Sequence, residues 1–202
     1  MPKIGILAYG SLIDNPGPEI EPHIADRLPD VQTPFSIEFA RSSDGRNGAP
    51  TLVPVTDGGS PVSATVLVLT EEISLKAAQD MLWRRETCNV GSERPYQPPA
   101  NPTENTVLID QFNNLDEVDV LLSTRIGSNI PELSARRLAE LAIESARAKA
   151  ETEGRDGISY LLSAKSNGLS TPLMADYEAE ILAITEAPTL EEALAICKDE
   201  GV

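Results

Sequence analysis

Apolar and polar positions divide the chain into a strand-rich beginning and a helix-rich remainder. Lys3 to Ala8 is a short apolar run that ends at Tyr9-Gly10, the pattern of a buried strand entering a tight loop. Residues 14–34 carry five of the sixteen prolines (Pro16, Pro18, Pro22, Pro29 and Pro34), so long regular structure is not expected there. Phe35 to Ala40 alternates apolar and polar residues and predicts a half-buried strand. Thr51 to Val55 and the β-branched run Val62 to Leu69 follow, each set off by a polar turn. Strands joined by turns, without helical crossovers, favour a largely antiparallel or mixed sheet.

The period changes at Thr70. Thr70-Glu71-Glu72-Ile73 supplies a cap residue with acids in the first turn, and the spacing predicts a helix to about Glu86. Leu75, Ala78 and Leu82 fall on one stripe of it. Glu86 is four residues beyond Leu82 and continues that stripe. Cys88 to Asn105 reads as a loop with four prolines, and Thr106 to Ile109 and Val118 to Leu122 as strands about an acidic turn. Ser128-Asn129-Ile130-Pro131 opens the longest predicted helix, which runs to about Glu153 and stops at Gly154. Gly157 to Leu162 fits a short strand or a helix. Leu173 to Ile184 and Thr189 to Lys198 close the chain as helices, the last capped by Thr189. No repeat or low-complexity linker divides it, and a single domain over residues 1–202 is expected.

Composition sharpens this picture in few places. Eight aromatics in 202 residues leave a mostly aliphatic, alanine-rich core. The net charge of −16 and the scattered arginines and lysines argue against a nucleic-acid partner or an anionic membrane surface. No apolar stretch approaches the roughly 18–20 residues that span a bilayer. The apolar run at the N-terminus is too short for a signal-peptide core and lacks a cleavage site, so it reads as the first strand. Cys88 and Cys197 have no metal-type spacing and are expected as reduced thiols in the cytoplasm.

Two features could carry chemistry. A strand ending in Tyr9-Gly10-Ser11 can turn successive N–H groups in one direction, which makes a concave anion site; an ordinary strand-ending turn is the alternative. Glu86 on an apolar stripe is costly without a partner or a task, and burial would suit it to proton transfer near neutral pH. The alternatives are a pairing with Arg84, Arg85 or Arg94, or a frayed helix end. His23 is the one histidine and sits among prolines, so neither a Ser-His-Asp arrangement nor a zinc site is expected. Cys88 lies two residues from Glu86 and reads more simply as a bystander than as a nucleophile. Gly154 to Gly157 and Asn167-Gly168 read as turns, since neither has a phosphate-loop spacing.

The order of these features resembles the γ-glutamyl cyclotransferase-like superfamily. Ala8-Tyr9-Gly10-Ser11-Leu12 is similar to its FAYGSN/FAYGSL opening, and Leu82-Trp83-Arg84-Arg85-Glu86 to its LDxxE element, with Tyr96 following after an enlarged loop. Tyr160 to Leu169 is similar to its Y…GAKENGLP segment, with Tyr177 and Leu182 at the aromatic and aliphatic positions beyond. Leu12 stands where several members have Asn, and Trp83 where Asp is usual. The resemblance implies an α+β fold with a mixed, largely antiparallel sheet or partial barrel and packed helices. It also implies cyclisation of a γ-glutamyl group to 5-oxoproline with release of an amine or amino acid, without metal or other cofactor. Glu86 would be the general base and acid, and Tyr9, Gly10, Ser11, Leu12 and Tyr96 would bind a small γ-glutamyl substrate. Whether the chain forms a homodimer stays open. A non-catalytic small-molecule-binding module sharing the fold is the alternative.

Overall fold

The computed structural model describes residues 2–115, 117–148 and 154–200. It is an α+β structure with a five-stranded mixed sheet, a two-stranded sheet and six helices among the described residues. The residues up to Pro34 together with Ser63–Gly127 form one compact unit, and Phe35–Val62 with the residues from Ser128 onward form a second.

The first unit is built on β1 (Ile4–Ala8), which is buried along its whole length. The sheet order is β2 (Ile24–Gln32), β5 (Ser63–Leu69), β1, β7 (Val118–Arg125), β6 (Leu108–Leu115). Only the β1–β7 pairing is parallel; β1–β5, β2–β5 and β6–β7 are antiparallel. Ile4, Ile6 and Ala8 alternate onto one face of β1 and meet Leu67, Leu69, Val120 and Leu122 from its neighbours. The helix α2 (Leu75–Glu86) lays Ala78, Met81 and Leu82 on that face, and Leu12 and Ile20 complete the cluster. Removing this apolar surface from water, at about 25 cal/mol per Å², is what fixes α2 over β1.

Two expectations change here for stated reasons. The proline-rich segment 14–34 does contain a nine-residue strand, β2. Pro29 is tolerated because β2 is an edge strand whose register breaks between Leu28 and Val31, where Asp30 turns to a φ of 59°. The cap of α2 is Ser74, not Thr70: its side chain accepts the Ala77 N–H at 3.2 Å, and the helix starts at Leu75.

The second unit pairs β3 (Ser36–Ser43) with β4 (Ala49–Val55) and packs β4 against α3 (Ala135–Ala148) and α4 (Gly157–Ser166), while α5 (Met174–Thr185) and α6 (Leu190–Glu200) pack on α3. The helix expected from Ser128 begins only at Ala135. Asn129 instead lies beside β3, its side-chain amide accepting the Ser42 N–H at 2.7 Å and donating to the Ser42 carbonyl at 3.0 Å. Glu132 then takes a φ of 51°, which breaks any earlier helical turn. The expected end of this helix near Glu153 lies outside the described residues. Gly157 to Leu162 is helical, opened by Asp156, whose carboxylate accepts from the Ser159 N–H at 2.8 Å. Gly157 has to be glycine, since a Cβ there would meet Ala142 Cα of α3 at 2.7 Å.

Phe39, Tyr160 and Tyr177 form an edge-on aromatic cluster in this unit, with ring centroids 6.0 and 5.3 Å from Phe39. The Tyr177 hydroxyl is fully buried and, among the described residues, has no hydrogen-bond partner. Burial, with nearby Asp156 and Tyr160, pushes its phenol up. A hydroxyl taken out of water without a partner is a net cost. Tyr177→Phe is therefore expected to raise stability by about 1 kcal/mol, read from urea unfolding. A lower midpoint for the variant would mean that the hydroxyl is bonded.

Candidate functional site

The sequence-predicted loop and Glu86 both belong to the first unit. At the end of β1 the chain reverses at Gly10, with φ 62° and ψ −137°, a conformation that a residue with a Cβ adopts only under strain. This turn starts α1 (Ser11–Asp14), and no side chain caps it. The Ile13 N–H reaches back to the Gly10 carbonyl at 3.2 Å. The N–H groups of Ser11 and Leu12 stand at the open end of the turn, where helical geometry provides no carbonyl for them. The Leu12 side chain is a core residue, so its part in a site is confined to its backbone.

Glu86 is the last residue of α2, and its side chain is 24% exposed. It is half-buried, not sealed in the core as the stripe with Leu82 suggests. A carboxylate in the last helical turn meets the negative end of the helix dipole, and Arg85 offsets this. Arg85 Nη1 donates to Glu86 Oε1 at 2.6 Å, while Nη2 donates to the Asn15 carbonyl at 2.7 Å and lies 3.4 Å from Ser11 Oγ. One guanidinium thus touches both the loop and the carboxylate. Its rigid fork keeps Ser11 Oγ and Glu86 Oε1 within about 8 Å of each other. Of the three arginines open as partners for Glu86, the structure selects Arg85.

Arg84 is committed elsewhere. It pairs with Glu19 at 2.7 Å and donates to the Arg94 carbonyl at 3.2 Å. Glu19 also accepts the Gly91 N–H at 2.6 Å. Burial works to raise the Glu19 carboxyl, but these donors outweigh it and hold it below its ordinary value. Glu19 and Arg84 together tie the start of loop 88–105 to α2.

The tyrosines are separated. Tyr96 is buried against α2: its N–H donates to Asp80 at 2.6 Å, its carbonyl accepts from Lys76 at 2.6 Å, and its ring lies 6.4 Å from that of Trp83. Its hydroxyl accepts the N–H of Ile109 at 3.0 Å. Ile109 pairs with Thr124 across β6–β7, and the Tyr9 hydroxyl lies 3.4 Å from the Thr124 carbonyl. In an antiparallel pair of this kind the two residues point their backbone groups away from each other. The two hydroxyls therefore sit on opposite sides of the pair, on the order of 10 Å apart. Tyr9 stays with the loop; the bonds of Tyr96 run to Lys76, Asp80 and Ile109 and brace α2 against the sheet edge. The Tyr160-to-Leu169 segment and Tyr177 belong to the second unit.

Cys88 is an exposed free thiol and Cys197 a buried one. Among the described residues, no group of three or more His, Cys, Asp or Glu side chains is placed to hold a metal ion, and no helix is long and apolar enough to cross a membrane. Sequence reasoning missed the contact of Arg85 with Ser11 and Asn15, because seventy residues separate them and neighbouring helix positions do not ordinarily share a face. It also missed Glu38, which is fully buried in the second unit. No family model matches the chain, and no curated protein does either.

Proposed function

We propose that this chain is a γ-glutamyl cyclotransferase-like enzyme, its mixed sheet a form of that family's fold. The observation that carries the reading is the Arg85 guanidinium, which touches both Ser11 of the glycine turn and Glu86. The substrate's own α-amine is the nucleophile, so no Ser, Cys or metal ion enters the reaction. Glu86 takes a proton from the α-ammonium; the amine nitrogen attacks the γ-carbonyl carbon, closing a five-membered ring. The N–H groups of Ser11 and Leu12 are the donors for the oxygen that becomes negative. As the bond from that carbon to the leaving nitrogen breaks, Glu86 gives its proton to that nitrogen and takes the second proton from the ring nitrogen, which then passes to the released amine. The products are 5-oxoproline and an amine or amino acid. Holding amine and carbonyl together contributes up to about 7–11 kcal/mol to such a ring closure.

Tyr9 belongs to this site; Tyr96 supports it from behind α2. A cytoplasmic setting goes with the reading, since Cys88 and Cys197 are both free thiols.

A second reading rests on the ion pair itself. A Glu86 held by Arg85 also suits a module that binds small anions without turnover. Incubation with a panel of γ-glutamyl amino acids and γ-glutamylamines, with 5-oxoproline followed by mass spectrometry, separates the two. Time-dependent 5-oxoproline is the expected result. Saturable binding of the same compounds with no product would favour the module.

A further inference from the structure

Arg85 has contacts of two kinds. Its Nη2 is anchored on the Asn15 carbonyl at 2.7 Å, and its stem lies under Gly17, where an added Cβ would come within 3.2 Å of Arg85 Cγ. These hold the guanidinium in place whatever else it binds. Its other contacts are exchangeable: one bond from Nη1 to Glu86 Oε1 at 2.6 Å, and a long one from Nη2 to Ser11 Oγ at 3.4 Å. A guanidinium is a planar fork matched to both oxygens of a carboxylate. Glu86, on the adjacent residue, uses one of its oxygens on that fork.

We infer that Arg85 is the binding residue for the substrate's carboxylate, and that this carboxylate displaces Glu86 from Arg85 Nη1. The proton's role rests on the cyclotransferase reading; the exchange of one carboxylate for another rests on the geometry. A free carboxylate brings two oxygens to the fork, one replacing Glu86 on Nη1 and the other replacing the long contact of Nη2 with Ser11 Oγ, while the bond to the Asn15 carbonyl stays. The substrate brings an ammonium together with its carboxylate, so the exchange adds no net charge to the site. Glu86 is then released beside the substrate's α-ammonium, the group whose proton it must take. A compound without the carboxylate leaves Glu86 on Arg85. On a chain with a net charge of −16, a fixed guanidinium also gives an anionic substrate a local cation to approach.

The test compares the wild type with Arg85→Gln and Arg85→Lys, using 5-oxoproline and 2-pyrrolidinone, the same ring without its carboxylate. Binding of each compound is followed by isothermal titration calorimetry. The wild type is expected to bind 5-oxoproline about tenfold to a hundredfold more tightly than 2-pyrrolidinone. Arg85→Gln is expected to lose that preference, and Arg85→Lys to keep only part of it, because lysine retains the charge and loses the fork. Turnover of a γ-glutamyl amide against the matching 4-aminobutanoyl amide is expected to show the same collapse. A preference that survives in Arg85→Gln overturns the inference, as does a wild type that fails to bind 5-oxoproline saturably. If Arg85→Gln does not fold, Arg85→Lys decides: a preference equal to that of the wild type overturns it. A carboxylate preference lost with Arg85 in a protein that turns over nothing keeps this inference and removes the cyclotransferase reading. Turnover whose carboxylate preference ignores Arg85 does the reverse.

Discussion

On the cyclotransferase reading, Glu86→Gln is expected to lower the rate of 5-oxoproline formation by about 10²–10⁴-fold, the usual contribution of a positioned acid or base. The substitution keeps the side chain's length and leaves a carbonyl oxygen that can still accept from Arg85 Nη1, so the loop at Ser11 and Asn15 has no reason to move. What it removes is the capacity to take the ammonium proton and return it to the leaving nitrogen. Stability should change little. The Arg85–Glu86 pair is partly exposed, with side chains 17% and 24% accessible, and pairs of that kind contribute about 0–1 kcal/mol. The measurement is steady-state turnover beside a urea melt. Undiminished turnover would exclude Glu86 as the proton carrier, and a large loss of stability would make its role structural.

The largest effect on stability is expected at Glu38. This carboxylate is fully buried on β3, with one oxygen 2.5 Å from the Thr171 hydroxyl and 2.8 Å from the Phe39 N–H, and the other 3.0 Å from the Leu173 N–H. Leu173 is the residue from which α5 starts, so the negative charge also faces the positive end of that helix. Glu38→Ala takes this acceptor from the Thr171 hydroxyl and from the N–H groups of Phe39 and Leu173, and opens a void. A cost of about 2–4 kcal/mol is expected, less than the full penalty of three orphaned donors because Leu173 is only half-buried. Glu38→Gln keeps one acceptor oxygen but brings an NH₂ toward a donor, and should cost about 1–2 kcal/mol. Denaturant unfolding of both variants checks the order. An alanine variant as stable as the wild type would mean that water replaces the carboxylate.

Glu38 also marks where a linear pattern stops being informative. Alternation from Phe35 to Ala40 identifies the strand, and β3 spans Ser36–Ser43, but Ile37, Glu38, Phe39 and Ala40 are all buried. Period two assigns alternate residues to opposite faces; it does not say whether the second face meets water or protein. The polar residue on that face was covered because Thr171 and Leu173, more than 130 positions away, supply donors for it. Pro29 makes the same point from the other side. Proline content argued against a strand, yet an edge position and a register break accommodated one.

At the candidate site, the apolar run of β1, the turn at Gly10 and the stripe that puts Glu86 at the end of α2 follow from sequence, because each depends on residues within a turn or two of chain. Strands without crossovers likewise point to a largely antiparallel sheet, since short connections can join only neighbouring antiparallel strands. Three things were settled only by tertiary structure: the parallel pairing of β1 with β7, the removal of Tyr96 to the far side of the β6–β7 pair, and the choice of Arg85 over Arg84 and Arg94 for Glu86. The same is true of the loop's own partner. Tyr9-Gly10-Ser11-Leu12 presents donors by virtue of local backbone geometry, whereas the guanidinium beside Ser11 arrives there because α2 buries Ala78, Met81 and Leu82 on β1. Local conformation is written in neighbouring residues; which charge meets which is decided by the burial of apolar faces distant in sequence.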